Sequence, residues 1–460
     1  MKIIIGFPPL TSSKGTPLLS QNRQFQWFKT PSYIYPVIPA AAATLLKKYG
    51  HQVVWLDGIA ENWSYQYWFE QVKKTKADLL FMETKTPVIK QHWQIIKQLK
   101  KDLPKMKIAI AGDHVTALPE ETKKNCPVDY VIHGGHYDLA LLQRTDLCKK
   151  KITLEESPII DRKLTKWHLY AYKNGNFKYT PGTYTMAGRD CWWRKNGGCT
   201  FCSWTTIFPQ FSVRTPESLL DEIGELIKLG VKEVFDDTGT FMAGAWLTKF
   251  CQGMIKRGYN KKITLGCNLR FGVLTLKDYQ LMAKANFRFL LFGLESATQT
   301  TIKRLNKGIT ISKVEPELEN IKTAGGQLEP HVTCMVGYPW ESLSQAKKTV
   351  EFTKNLFKKG LINSLQATIM IPYPGTQLFK QAEKNHWLKT KDWNKYDMSQ
   401  PILKSPIPDK TLKKLTRSIY LTALTPRFII HKITSIRSLA DLGFFIKTGW
   451  RFLGQLLDFT

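Results

Sequence analysis

The sequence predicts an α/β protein in two parts. A doubly wound, Rossmann-like (flavodoxin-like) domain comes first, then a partial (β/α)6 TIM-type barrel with a helical C-terminal tail. Two observations predict this. Strand-like runs alternate with helical segments in two separate series, and the five runs of the first, apolar throughout, read as parallel strands buried on both faces. The second series counts six units, too few to close an eight-stranded barrel.

The first series fills residues 1–145. KIIIG, QVVWLDG, ADLLFME, KIAIAGD and DYVIHGG are its strand candidates, each ending in a polar or glycine-containing turn. VIPAAAATLLKKYG reads as a helix stopped at Gly50. In such a sheet the loops at the carboxyl ends of the strands form the ligand crevice. Here they are Phe7–Leu10, Glu83–Pro87, Gly112–Thr116 and Gly134–Tyr137. Residues 146–182 lack a period and read as a surface linker. Residues 183–390 carry the second series, with strands expected at 184–188, 232–235, 263–267, 288–292, 331–336 and 366–370. PESLLDEIGELIKLG opens on Pro216, a helix-start signal, and stops at Gly230. Residues 391–460 form a helical basic region. From about 403 onward, basic residues mix with Ile, Leu, Phe and Trp at helical spacing. Such a segment either lies on a membrane surface or packs on the barrel with its lysines solvated.

The 460 residues are 43% hydrophobic, enough for more than one core. The formal net charge of +30 invites an anionic partner. The lysines are spread along the chain without an arginine-rich block, so a solvated basic surface is favoured and nucleic acid is disfavoured. The opening MKIIIGFPPL has an apolar run too short for a signal peptide, and no run is long enough to span a bilayer. The expectation is a cytoplasmic protein with reduced thiols, peripheral to a membrane if the tail is an anchor.

Three of the eight cysteines fall in RDCWWRKNGGCTFCSW, as Cys191, Cys199 and Cys202 spaced C-x7-C-x2-C. A structural zinc site needs four ligands, and no fourth Cys or His follows nearby. Cys251 and Cys267 sit in apolar surroundings and read as core. Three thiolates suit an iron–sulfur cluster, in which three protein ligands on four irons leave one iron open.

Here the chain resembles the radical S-adenosylmethionine superfamily. The cysteine loop follows the first barrel strand, TYTMAGRD, and Phe201 precedes the third cysteine. The first gap is longer than the usual three residues; Gly197 and Gly198 let the loop fold back. EVFDDTGTF, CNLR, FGLESATQTTIKRLNKG, HVTCMVGYPWES and QATIMIPYPGTQLF fit the later strand ends in order, over about residues 184–385. The resemblance implies a 4Fe-4S cluster on Cys191, Cys199 and Cys202. It implies S-adenosylmethionine contacts at Phe201, Asp236, Asp237, Arg270, Glu295, Ser296, Val336 and Gly337. Arg270 would pair with the cofactor carboxylate, since guanidinium binds carboxylate bidentately. Read from the residues alone, the aspartates could simply end a strand and Arg270 could be a surface ion pair.

Residues 1–145 resemble the cobalamin-binding domain that precedes the radical domain in many of these enzymes. That resemblance implies cobalamin contacts at Pro8, Pro9, Glu83, Gly112, His114, Thr116 and Gly134. The D-x-H-x-x-G signature is absent, so the cobalt would lack a histidine ligand. His114 either lines the corrin site or is a satisfied turn histidine. Residues 1–145 hold only Cys126, which argues against a methylthiotransferase.

Together these imply a radical enzyme that cleaves S-adenosylmethionine to a 5′-deoxyadenosyl radical and, with cobalamin, C-methylates an unactivated carbon. Its partners would be a small-molecule or lipid-like substrate and a reductant such as flavodoxin or ferredoxin. The sequence leaves two other readings open: a cobalamin-associated cyclase or carbon–carbon coupling enzyme, and a metal-stabilised nucleic-acid-binding protein.

Overall fold

The computed structural model describes residues 1–18, 25–144, 153–421, 442–446 and 449. The N-terminal sheet has five parallel strands: β1 (Lys2–Phe7), β2 (Gln52–Asp57), β3 (Leu79–Thr84), β4 (Lys107–Gly112) and β5 (Tyr130–Ile132). Their spatial order is β2-β1-β3-β4-β5, the flavodoxin-like arrangement, with its switch point between β1 and β3. Helix α1 (Val37–Lys48) covers one face and α2 (Tyr65–Thr75) and α3 (Ile89–Asp102) the other, so strand residues such as Ile3, Ile4 and Ile5 are fully buried. The alanine run Ala40–Ala43 lets α1 pack closely, because small side chains keep its backbone near the sheet.

The second sheet has six parallel strands in sequential order: β6 (Gly182–Thr185), β7 (Glu233–Asp236), β8 (Thr264–Leu269), β9 (Phe287–Glu295), β10 (Glu329–Val336) and β11 (Ser364–Ile369). Every expected strand is present. The first ends three residues early, because the chain turns at Met186 into a short hairpin, Gly188–Arg189 with Ser212–Val213, that leads into the cysteine loop. Thr215 caps the helix at Pro216–Lys228, its hydroxyl accepting the Ser218 amide. Inside the barrel, Tyr184, Phe235, Phe289 and His331 form a chain of ring contacts at 5.3–5.8 Å that fills the lower half.

In the stretch expected as a surface linker, the described residues 153–182 are mostly exposed or half-buried, but Ile160, Arg162, Thr165, Tyr170, Ala171, Asn174 and Phe177 are buried. Arg162 is 3% exposed. It donates to Glu222 at 2.7 Å, to the Tyr184 carbonyl at 2.9 Å and to Thr183 at 2.9 Å. Its guanidinium also lies 4.3 Å from the Tyr35 ring of the first domain. Tyr170 and Phe177 are buried beside it. Periodicity did not reveal this because the segment has no regular structure to impose a period. Its buried residues answer to two domains at once.

The domains also meet at the cysteine loop. The Gly135 amide donates to the Ile207 carbonyl at 2.7 Å, and a Cβ on Gly135 would stand 2.3 Å from the Phe208 ring. Residues 371–402 complete the junction by packing Tyr373, Phe379, Trp393 and Tyr396 against the α3 side of the first domain. Only residues 442–446 and 449 of the region beyond Leu421 are described. The expected basic helix pair otherwise lies outside the described residues.

Glu222 is buried against Arg162 and Arg214. Burial alone would raise its pKa, but Arg214 and Arg162 overcome that and hold it at about 2. This depressed value contributes stability that is complete above the ordinary carboxyl value of 4.5 and is lost as pH falls towards 2. Glu222→Gln leaves two buried guanidiniums without a counter-charge and should cost about 3–5 kcal/mol at neutral pH. Urea denaturation at pH 7 and near pH 3 should show the gap between wild type and variant narrowing in acid.

Candidate cluster and cofactor site at the barrel mouth

Cys191 emerges just past β6 and bridges to Thr240, with its Sγ 3.1 Å from the Thr240 hydroxyl. Gly239 permits that approach, since a Cβ there would be 2.8 Å from the Cys191 Cβ. Cys199 and Cys202 flank a tight turn in which the Cys202 amide donates to the Cys199 carbonyl at 3.2 Å. The Thr200 amide ties that turn to the Leu305 carbonyl at 3.0 Å. All three cysteines are half-buried by exposure.

Burial raises the Cys199 thiol, and the cations Lys307 and Arg270 oppose it. The same sulfurs counter the lowering that burial imposes on Arg270. The structure therefore brings Cys199, Arg270, Lys307 and Glu295 into one electrostatic cluster. Among the described residues, no three His, Cys, Asp or Glu side chains converge tightly enough for a single metal ion. Three soft thiolate donors with Lys307 and Arg270 acting on Cys199 suit an iron–sulfur group.

Arg270, just after β8, is 4% exposed. Its Nη2 has no hydrogen-bond partner among the described residues, and its guanidinium stacks 3.8 Å from the Trp193 ring. Glu295 sits at a bulge in β9 with φ +67° and pairs with Lys307 at 2.9 Å. Phe201 packs with Met335, Tyr338 and Met370 beside the cysteines. The Tyr338 hydroxyl is buried and without a partner among the described residues.

The two aspartates separate. Phe235 faces the barrel interior, so by strand alternation Asp237 shares that face and Asp236 does not. Asp236 accepts the Ala187 amide at 2.7 Å and the Thr238 amide at 3.0 Å. Burial pushes its carboxyl up to about 6, against those hydrogen bonds. Asp237 is half-buried and accepts from Asn268 Nδ2 at 3.2 Å. Ser296 is fully buried, with its hydroxyl on Thr349 and the Thr298 amide. Val336 turns its side chain outward into the core with Ala346 and Val350, leaving only backbone for a ligand. The Gly337 amide, at φ +94°, donates to Glu341 at 2.8 Å.

In the first domain, Pro8 and Pro9 follow β1, with Pro9 packed where a Cβ on Gly58 would stand. Glu83 is 3% exposed with Oε2 lacking a partner among the described residues, and burial raises its carboxyl. Gly112 has φ +135° and sits against the Thr84 carbonyl. The Thr116 hydroxyl donates to the Gly112 carbonyl at 2.7 Å and accepts the Gly134 amide at 3.0 Å. His114 is fully buried between Trp93 and Trp393, with Nε2 3.2 Å from Glu121. Lys307, Trp193, Asn268 and Tyr338 were not singled out as ligands from the sequence. The available signal for Lys307 was a cation held between turn residues in LNKG.

Residues 189–353 match the family model described as the radical SAM superfamily. That stretch is similar to the radical SAM domain. An uncharacterized methyltransferase of Pyrococcus horikoshii is 24% identical over 410 residues, covering 83% of this chain and 86% of the relative. The anaerobic magnesium-protoporphyrin IX monomethyl ester cyclase of Rubrivivax gelatinosus is 23% identical over 410 residues, 82% of this chain and 71% of the relative. In fold, the chain is similar to OxsB, a cobalamin-dependent S-adenosylmethionine radical enzyme solved with aqua-cobalamin and S-adenosylmethionine. The TM-score is 0.69 at 13% identity, over 99% of this chain and 72% of that one.

Asp236→Ala strips two buried amides of their acceptor and should lower stability by about 1–3 kcal/mol. Asp237→Ala should change it by about 0.5 kcal/mol or less. Parallel urea melts of the two variants measure the difference.

Proposed function

We propose that this chain is a cobalamin-dependent radical S-adenosylmethionine methyltransferase acting on an unactivated carbon. The observation that carries the reading is the meeting of Cys191, Cys199 and Cys202 with Arg270, Lys307 and Glu295 at the carboxyl ends of the barrel strands. When bound, a 4Fe-4S cluster with S-adenosylmethionine supplies a 5′-deoxyadenosyl radical, and cobalamin supplies the methyl group.

The chain's own residues bind, orient and shield. The three thiolates hold the cluster, and Lys307 and Arg270 offset its negative charge. The unpartnered Nη2 of Arg270 is available to the cofactor carboxylate. Asp237 and Glu295 offer acceptors from the barrel interior. Phe201, Met335 and Tyr338 wall one side, with the backbone of Val336 and Gly337 beside them. Asp236 and Ser296 act through the backbone turns they tie and not by ligand contact. Cobalamin would lie at the carboxyl ends of the strands, outside the β1/β3 switch point. Pro8, Pro9, Gly112, Thr116 and Gly134 shape that surface, and Glu83 leaves one buried oxygen unsatisfied. His114, enclosed by two tryptophans, supports this surface from behind.

The substrate is a small or lipid-like molecule, and a flavodoxin or ferredoxin supplies electrons. Among the described residues no helix is long and apolar enough to cross a membrane. Leu442 and Ile446 are exposed, which supports peripheral contact through the basic C-terminal region. The cyclase relative supports a second reading, in which the same site closes a ring.

Anaerobic reconstitution should load iron and sulfide, and reduction with S-adenosylmethionine should yield 5′-deoxyadenosine. Replacing Cys191, Cys199 and Cys202 by alanine should abolish both. Zinc without sulfide in the wild type would overturn the reading. A product heavier by one methyl group separates methylation from ring closure.

A further inference from the structure

The seven residues between Cys191 and Cys199 are longer than the ligation itself needs, and they are held in a definite place. Residues Trp192–Asn196 form a short helical turn that ends at Gly197 and Gly198, with φ +86° and +70°. The turn is clamped to the loop after the helix Gln299–Arg304. Trp193 Nε1 donates to the Asn306 carbonyl at 2.7 Å. Asn306 Nδ2 donates back to the Asn196 carbonyl at 2.7 Å and the Gly198 carbonyl at 2.8 Å. Gly308 makes the room. It has φ +64°, and a Cβ there would fall 2.1 Å from the Trp193 ring and 3.0 Å from Arg270 Nη2. Against this seat the Trp193 ring lies 3.8 Å from the Arg270 guanidinium carbon.

We propose that the lengthened loop serves to seat Trp193 as a shelf for Arg270. Trp193 is then a positioning residue that sets the affinity and carboxylate selectivity of S-adenosylmethionine binding. The proposal rests on the reading that Arg270 takes the cofactor carboxylate. An arginine loses rotamer entropy when it engages a ligand, and a ring fixed against its face removes part of that cost beforehand. A desolvated guanidinium–indole contact is also attractive in its own right. The stack leaves Nη2 unpartnered and buried, a donor whose desolvation has already been suffered and which an anionic oxygen would relieve.

The test measures equilibrium binding of S-adenosylmethionine and of its carboxyl methyl ester to the cluster-loaded protein. The change in the EPR signal of the reduced cluster on ligand addition is the second readout, with iron content and thermal melting as controls. Wild type should prefer the acid over the ester. Trp193→Leu should weaken acid binding by about tenfold and erase most of that preference, while Trp193→Phe, which keeps a ring, should retain most of it. Adding Trp193→Leu to Arg270→Ala should cause no further loss. The proposal is overturned if Trp193→Leu binds the acid like wild type, or weakens acid and ester equally. If Arg270→Ala itself keeps the preference, the underlying reading of Arg270 fails first, and the shelf with it. Should Trp193→Leu fail to hold iron, Asn306→Gly keeps the left-handed backbone but removes both donors to the loop. It should reduce the preference in the same direction, and an unchanged preference there would overturn the shelf.

Discussion

Three thiolates in a half-buried site repel one another and lose hydration, so they can be held together only where positive charge is brought in from elsewhere. That requirement governs the barrel mouth. Lys307 comes from the loop after the helix Gln299–Arg304 and Arg270 from just past β8, far from the cysteines in sequence, and both act on Cys199. Lys307 is held by Glu295, whose left-handed backbone is set by the β9 bulge. Arg270 is held by Trp193, which belongs to the cysteine loop itself. The cysteine loop and the cations therefore position each other. The parallel strands deliver them to the same end because side chains and turns at carboxyl ends all face one way.

The same economy links the two domains. The turn Trp204–Ile207 that follows Cys202 is also the surface on which Gly134 and Gly135 dock. A side chain at Gly135 would collide with Phe208, so the glycine pair is what lets the first domain come within hydrogen-bonding distance. Behind this contact, Arg162 joins the Tyr35 ring, the β6 backbone and Glu222 in one buried network. A ligand between the carboxyl ends of the two sheets would sit in a crevice whose width is set by these two contacts. The seat of the cysteine loop and the alignment of the domains thus have a common origin.

What was legible in the sequence was whatever is written in local periodicity or local chemistry. The five strands of the first sheet announced themselves as apolar runs, because a strand buried on both faces needs no polar alternation, and the six of the second by their place between helical segments. The trio of cysteines was legible because thiolate ligation depends on residue type and close spacing. Less visible was which neighbour in a pair faces inward. Asp236 and Asp237 are indistinguishable in sequence; the register of β7 against β6 and β8 assigns one to backbone amides and the other to the barrel interior. The buried positions within residues 153–182, such as Arg162 and Tyr170, were hidden for the opposite reason. Without regular structure, burial leaves no period.

The sequence by itself determined two α/β series, their strand order along the chain, and a three-thiolate site suited to an iron–sulfur cluster. Backbone hydrogen bonding and side-chain chemistry act over short range, and short range is what a linear pattern records. Only the tertiary structure decided that His114 is sealed between Trp93 and Trp393, that Ser296 is spent on Thr349, and that Trp193 lies against Arg270. Those outcomes depend on how close packing of distant segments divides a limited set of buried polar atoms among themselves and any ligand. No stretch of sequence carries that division alone.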